Sequence, residues 1–260
     1  MLFKELFPHP WPLIGVVHLP PLPGYRGAPS MKDLVRHALD DLEVLEAAGF
    51  DGILIENEND QPHNVVAAAE TIAVMTEITG RAVEKARRVI VGAEILLNDP
   101  KASLAVPLAA SARFIRTDYF VDRMARDEYG GEMAIDPEGL LTYRGKLGAD
   151  TVAILADVQV KYARMLAPRP IADSAQLARE KGADGVIVTG NLTGTAPVTA
   201  DLREACGALT DFPVLIGSGL SAANAKIMKA VARGAIVGTG IMTNGKIDLG
   251  KARALRDLLP

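Results

Sequence analysis

Short unbroken runs of apolar residues recur along the chain, each introduced by a glycine and an acidic residue and each halted by polar residues or glycine. They read AGFDGILIEN (48–57), LGADTVAILAD (147–157) and KGADGVIVTG (181–190), with ARGAIVGTG (232–240) as a shortened copy. A run without polar alternation fits a strand covered on both faces, as in parallel sheets, and the glycine before it supplies the left-handed residue that ends a helix. Strands are predicted at 14–18, 52–56, 89–94, 114–117, 152–157, 185–189, 214–218 and 235–238. Helical spacing fills the intervals at 33–48, 64–88, 101–110, 137–147, 172–181, 199–208, 222–231 and 249–258. Such regular alternation requires a parallel sheet, either a doubly wound open sheet or a closed barrel. Equal numbers of strands and helices, and the glycines of the last two units, favour an α/β (β/α)8 barrel formed as a single domain over 1–260, since about 250 residues make one such barrel. In that fold reacting groups sit where strands end, so chemistry is sought just after each apolar run.

The last two strand ends carry the clearest signal. IGSGLSAANA places Gly217, Ser218, Gly219 and Ser221 before a helix, and VGTGIMTNGK places Gly238, Thr239 and Gly240 after the final strand. Small residues let backbone N–H groups approach an anion, and the loops after strands seven and eight of a barrel frequently hold phosphate. The same glycines also suit tight turns. TGNLTG after the sixth strand adds Thr189, Gly190 and Asn191 to this wall, and Lys246 could reach toward the anion or sit in an exposed turn.

Ionisable groups occupy the other strand ends: His18; Glu56 with Asn57 and Glu58; Glu94; Arg116 with Asp118; Asp157 with Lys161. Carboxylates gathered at one mouth repel unless a cation, a Lys or Arg, or a shared proton relieves them. Lys161, Asp157, Glu56 and His18 are the candidate catalytic groups. Asn57, Glu94 and the glycine-hydroxyl loops are candidate ligand contacts, while Arg116 reads as an internal partner for neighbouring carboxylates. Glu56, Glu94, Asp118 and Asp157 could offer oxygens to magnesium, but no short metal motif is present and no cofactor is expected.

Composition narrows the classes. The chain has 260 residues, 49% apolar and 23% charged, with net charge -4, which leaves no basic footprint for nucleic acid. No run is long enough for a membrane span, and the N-terminal segment lacks a signal-peptide core, so a cytoplasmic protein is expected. A single cysteine, Cys206, excludes an internal disulfide and reads as a buried apolar residue. Self-association is left open.

IGVVHLPPLPG, ILIEN, ADVQVKYA, VIVTGNLTG and VLIGSGLSAANA with IVGTGI together resemble the BtpA family over nearly the whole chain. The resemblance implies a phosphate-binding TIM barrel of the ribulose-phosphate-binding type, in a family named for photosystem I stability and without a settled reaction. It also places His18, Glu56, Asn57, Asp157, Lys161, Thr189, Gly190, Gly217, Ser218, Gly219, Gly238 and Thr239 on motif positions. The chain departs from the family phrase ADVHVKH at Gln159 and Tyr162, which puts in doubt any mechanism needing a histidine there. Two functions follow as expectations: an enzyme using acid–base chemistry on a small phosphorylated metabolite, a sugar phosphate or nucleotide-like compound; or a non-catalytic assembly factor that keeps a phosphate-binding barrel.

Overall fold

A computed structural model describes residues 2–259. Eight parallel strands close a barrel: β1 (Leu13–His18), β2 (Gly52–Glu56), β3 (Ile90–Glu94), β4 (Phe114–Thr117), β5 (Ala153–Val158), β6 (Gly185–Val188), β7 (Val214–Ile216) and β8 (Ala235–Val237). The helices are α1 (Leu2–Leu6), α2 (Met31–Ala47), α3 (Ala69–Lys85), α4 (Pro100–Ala110), α5 (Pro137–Leu147), α6 (Ile171–Glu180), α7 (Thr199–Ala208), α8 (Ala225–Lys229) and α9 (Leu249–Asp257). Closure runs through β8 on β1, with Leu13 opposite Ala235. The open-sheet alternative is thereby removed.

In two copies of the recurring phrase the acidic residue has a structural task. Asp51 accepts a hydrogen bond from the Leu13 amide at 2.8 Å, and Asp184 from the Ile154 amide at 3.0 Å, so each fastens the beginning of the neighbouring strand. Gly148 and Gly182 take positive φ of 64° and 88° where helices give way to strands, a conformation glycine adopts without cost. Asp99 and Asp136 cap α4 and α5, each followed by a proline that needs no amide partner in the first turn.

Pleating sorts each strand's side chains into two layers. Val17, Ile53, Ile55, Val91, Ile115 and Ile154 join the core between strands and helices. Ile14, Val16, Leu54, Phe114, Leu155, Ile187, Leu215 and Ile236 fill the barrel itself, closed beneath by Phe3, Leu6 and Phe7 of the N-terminal segment. Phe114 meets Phe7 edge-on at 5.6 Å, and a Cβ at Gly92 would lie 2.5 Å from the Phe114 ring. Two residues further along several of these strands, at His18, Glu56, Arg116 and Asp157, the inward residue is polar, so a charged layer sits on the apolar one.

Three features lie outside the alternating pattern. α1 plugs the barrel floor. Short antiparallel strands at Met124–Arg126, Gly131–Glu132 and Arg164–Met165 form a cap sheet over a small core of Leu97, Tyr119, Met124, Met133 and Val160. A hairpin pairing Met242–Thr243 with Lys246–Ile247 follows β8.

Truncating Phe114→Ala should lower unfolding stability by about 3 to 5 kcal/mol, because neighbours held by the closed sheet cannot collapse into the space. Denaturant titration with unchanged cooperativity checks it, and a loss within error of zero would mean that the floor of the barrel repacks freely.

Candidate functional site

The polar layer is organised by Arg116, which is buried on β4. Its guanidinium lies 2.7 Å from Asp157 Oδ2, 3.2 Å from Glu56 Oε1, 3.8 Å from Glu94 Oε2 and 3.9 Å from Asp118 Oδ1. One fixed cation among four buried carboxylates cannot neutralise them all, so protons must be retained. Burial holds Glu94 well above the usual carboxylate range, and its carboxyl is hydrogen-bonded to Glu56. Arg116, with help from His18, overcomes burial at Glu56 and keeps that group below its ordinary value. Burial, assisted by Asp118 and opposed by Arg116, pushes Asp157 up to about 7.

Register places His18 beside Glu56 across the β1–β2 pair, with Nε2 and Oε2 3.8 Å apart. Burial lowers the His18 pKa and keeps the ring neutral near pH 7. His37 Nε2 on α2 lies 3.1 Å from the His18 carbonyl, tying the end of β1 to the helix behind it. A Cβ at Gly238 would come within 3.0 Å of His18 Nε2, so glycine there makes room for the ring.

Above this layer the mouth has two connected lobes. The smaller, about 30 Å³, is lined by His18, Gly217, Ser218, Gly219, Thr239 and Gly240 among others. The larger, about 210 Å³, is bounded by Gln61, His63, Asp118, Arg126, Tyr129 and Tyr162. Glu56, Glu58, Arg116, Lys161 and Thr193 border both. Larger clefts of about 350 and 460 Å³ flank the N-terminal segment, where Phe3, Phe7 and Pro8 meet the barrel floor, and none of their charged lining residues is buried.

In the smaller lobe the amides of Gly219, Thr239 and Gly240 have no hydrogen-bond acceptor among the described residues, while Ser221 N donates to Asn224 Oδ1. The glycines also permit loop-on-loop packing: a Cβ at Gly219 would strike the Thr195–Ala196 backbone, and one at Gly240 would strike the Leu220 carbonyl. Ser218 is occupied, since its Oγ accepts from Gly190 N at 2.8 Å and donates to Thr195 O at 2.7 Å. Lys161 Nζ has no ion-pair partner among the described residues and lies 6.0 Å from the Tyr162 ring centroid. Glu58 likewise has a carboxylate without a protein partner among them, and burial together with Glu56 pushes it up to about 7.

Several expected contacts sit elsewhere. Asp157 and Glu94 lie beneath Arg116 and line neither lobe, because the pleat turns both into the barrel below the mouth. Asn57 donates to Asp60 Oδ2 at 2.9 Å and its Oδ1 accepts from Leu96 N at 2.8 Å, which braces two loops. Gly190 spends its amide on Ser218, Thr189 Oγ1 is buried outside both linings, and the Asn191 carbonyl accepts from Tyr162 N at 3.3 Å. Lys246 turns away to Asp40 at 3.3 Å, because the hairpin carries it toward α2. Gln159 also serves structure, its amide nitrogen donating to Arg169 O and Ser174 Oγ.

Glu58 stands among the strand-end ionisable groups but not among the candidate catalytic or ligand-binding ones, and the Gln61, His63, Arg126 and Tyr129 wall lies outside the strand-end rule altogether. The Gly130–Gly131 pair was a legible hairpin signal for the cap that brings Arg126 and Tyr129 over the mouth. Arg116 occupies the space among the four acids considered for magnesium. A different set, His18, Glu56 and Glu58, has one ligand-type atom from each residue within 4.8 Å of the others and could hold a cation.

A profile described as BtpA family matches residues 10–259. The photosystem I biogenesis protein BtpA of Synechocystis sp. is 36% identical over 240 residues, covering 91% of this chain and 82% of that protein. An uncharacterised protein of Pyrococcus furiosus is 35% identical over 239 residues, covering 91% and 88%. Among solved structures, (S)-3-O-geranylgeranylglyceryl phosphate synthase from Thermoplasma acidophilum, in complex with sn-glycerol-1-phosphate, superimposes with TM-score 0.62 at 15% identity over 98% of this chain and 96% of that one. That likeness shows a shared TIM-barrel fold.

The proton on Asp157 sets a pH test. Its pKa is raised on folding from 3.8 to about 7, so its contribution to stability is complete at low pH and is lost as pH rises through that window. Asp157→Asn cannot titrate and should gain stability relative to the parent between pH 4 and about 7.5. Paired melting curves across that range measure the difference; parallel curves would mean that Asp157 is already ionised throughout.

Proposed function

The chain belongs to the BtpA family, and from that premise we propose that its barrel mouth binds a small phosphorylated metabolite and transforms it by proton transfer, as an isomerase or lyase does. The observation that carries this reading is the convergence of unpartnered amides at Gly219, Thr239 and Gly240 with Lys161 on one cavity. Backbone N–H groups at loops after the last two strands offer preorganised donors to phosphate oxygens, and Lys161 adds positive charge at the boundary between lobes.

The chemistry is divided among neighbouring groups. Arg116 fixes Glu56 at 3.2 Å and favours its ionised form, which makes Glu56 an anchor for ligand hydroxyls and a weak proton acceptor. Glu58, half-buried and titrating at about 7, is better matched to accept and return a proton near neutrality. Lys161 is placed to stabilise negative charge that develops when a proton is removed from carbon. Neutral His18 can donate or accept on the opposite side.

A second reading follows from the name of the Synechocystis relative: the same barrel can serve as an assembly factor whose phosphorylated ligand regulates association. It predicts ligand binding without turnover.

Calorimetric titration with inorganic phosphate and ribose 5-phosphate tests the phosphate seat. Both should bind, and Lys161→Met should weaken ribose 5-phosphate by about tenfold or more, the equivalent of roughly 1.4 kcal/mol. No binding of either compound to the parent would remove the proposal.

The pH profile tests the base. Once a converted substrate is in hand, turnover should rise with pH through about 7 as Glu58 ionises, and Glu58→Gln should abolish that limb while preserving the fold. An unchanged profile in the variant would assign proton transfer to another group.

A further inference from the structure

The larger lobe differs in chemistry from the phosphate seat. Arg126 from the cap sheet lies between two tyrosine rings, its guanidinium carbon 4.8 Å from the Tyr129 centroid and 5.5 Å from that of Tyr162. Tyr162 is 46% exposed, yet it is held in place: its amide donates to Asn191 O, and its hydroxyl accepts from Thr193 N at 2.8 Å. These aromatic residues sit on different loops and border the same lobe, giving it flat walls.

Polar groups in this lobe remain unmatched. Asp118, 9% exposed, lines it and leaves Oδ1 without a hydrogen-bond partner, although Arg116 is 3.9 Å away. His63 Nδ1 is likewise buried without a partner, while its Nε2 meets the Gln61 side chain at 2.9 Å. Burial keeps His63 neutral, with a pKa pushed down to about 4. Buried polar atoms left unsatisfied are costly, and a bound molecule with matching hydrogen-bonding groups removes that cost.

Charge selects among occupants. Glu56, Glu58 and Asp118 border the lobe, and Arg126 is tied to Glu128 at 2.6 Å. Arg116 and Lys161 border the smaller lobe as well and are shared with the phosphate seat, so a second phosphate or a carboxylate in the larger lobe would face these three acids without a cation of its own. A neutral flat group with N–H donors would lie against the Tyr129–Arg126–Tyr162 stack and find the Asp118 carboxylate at its edge. The lobe, about 210 Å³, is too small for a dinucleotide, for which sites of roughly 300 to 1,000 Å³ are usual even for drug-sized ligands.

We infer that the larger lobe binds a planar, nitrogen-bearing ring carried by the phosphorylated ligand, which makes the ligand a ring-substituted sugar phosphate of mononucleotide type. Glu56, Glu58 and Thr193 border both lobes and are positioned to meet the sugar between ring and phosphate. The inference rests on the phosphate seat proposed above and specifies what lies at the other end of the same molecule.

Calorimetric titration of the intact protein with ribose 5-phosphate, adenosine 5′-monophosphate and uridine 5′-monophosphate separates the two ideas. At least one mononucleotide should bind about tenfold or more tightly than ribose 5-phosphate, the scale of one ring stacked on an aromatic face. Tyr162→Ala, a change at an exposed side chain that should not disturb folding, should bring the mononucleotide down to the affinity of ribose 5-phosphate. Asp118→Asn should alter the preference between the two bases, because only one edge pattern suits a carboxylate. If ribose 5-phosphate binds but neither mononucleotide binds better, the ring lobe is refuted and the phosphate seat stands. A preference that survives Tyr162→Ala also refutes it. Failure of all three compounds overturns the phosphate seat and this inference with it.

Discussion

Arg116 sets the terms for everything at the barrel mouth. A guanidinium taken out of water needs compensating charge and hydrogen bonds, and a cluster of carboxylates taken out of water needs the guanidinium. Their mutual dependence positions β2, β3, β4 and β5 relative to one another just above the apolar filling. It also divides the acids by role. Glu56 is pushed below its ordinary value by Arg116, Glu94 is raised well above it by burial, and Asp157 is raised to about 7, so a buried layer with excess carboxylates binds protons more tightly than the same residues do in water. The groups free to meet a ligand, Lys161 and Glu58, lie outside the guanidinium's contacts.

The phosphate seat shows how packing and function come to use the same residues. Glycine is required at Gly219 and Gly240 because the loops after β6, β7 and β8 pack backbone against backbone, where any Cβ would collide with a neighbouring main chain. That packing also leaves amides at the rim without internal acceptors. Ser218 has a different part: placed in the same glycine-rich phrase, it spends its hydroxyl joining two loops. A hydroxyl beside a glycine therefore marks loop architecture as readily as ligand contact.

The cap sheet makes the mouth asymmetric. Without it the barrel would present an amide-lined seat and a charged floor. With it, Arg126, Tyr129 and Tyr162 add a wall that rises above one side of the opening, held by a separate apolar core and by Asp122, which binds Gln159 N at 2.8 Å and Arg169 Nε at 3.1 Å. Asp122 joins the loops after β4 and β5, and those loops carry most of that wall.

The eight strands are readable because each is an apolar run bounded by glycine and polar residues, and the barrel follows from their alternation with helices; helical spacing gives α5 and α7 the ends they have in the structure. The cap strands, two or three residues each, are too short to show a period, and α1 is a short segment stabilised by the barrel floor. At the site, the residues that type and distance from a strand end mark out, His18, Glu56, Arg116, Asp157, Lys161 and the last two glycine loops, all gather at one end of the barrel. Their division into floor and lining depended on pleat direction and barrel closure, which join residues such as Arg116 and Glu56 across 60 positions of sequence. Local pattern encodes which elements form, because helix caps and strand runs act over a few neighbours. Which carboxylate keeps its proton, and which lysine remains without a partner, is a property of distances and burial that exist only after the barrel has closed.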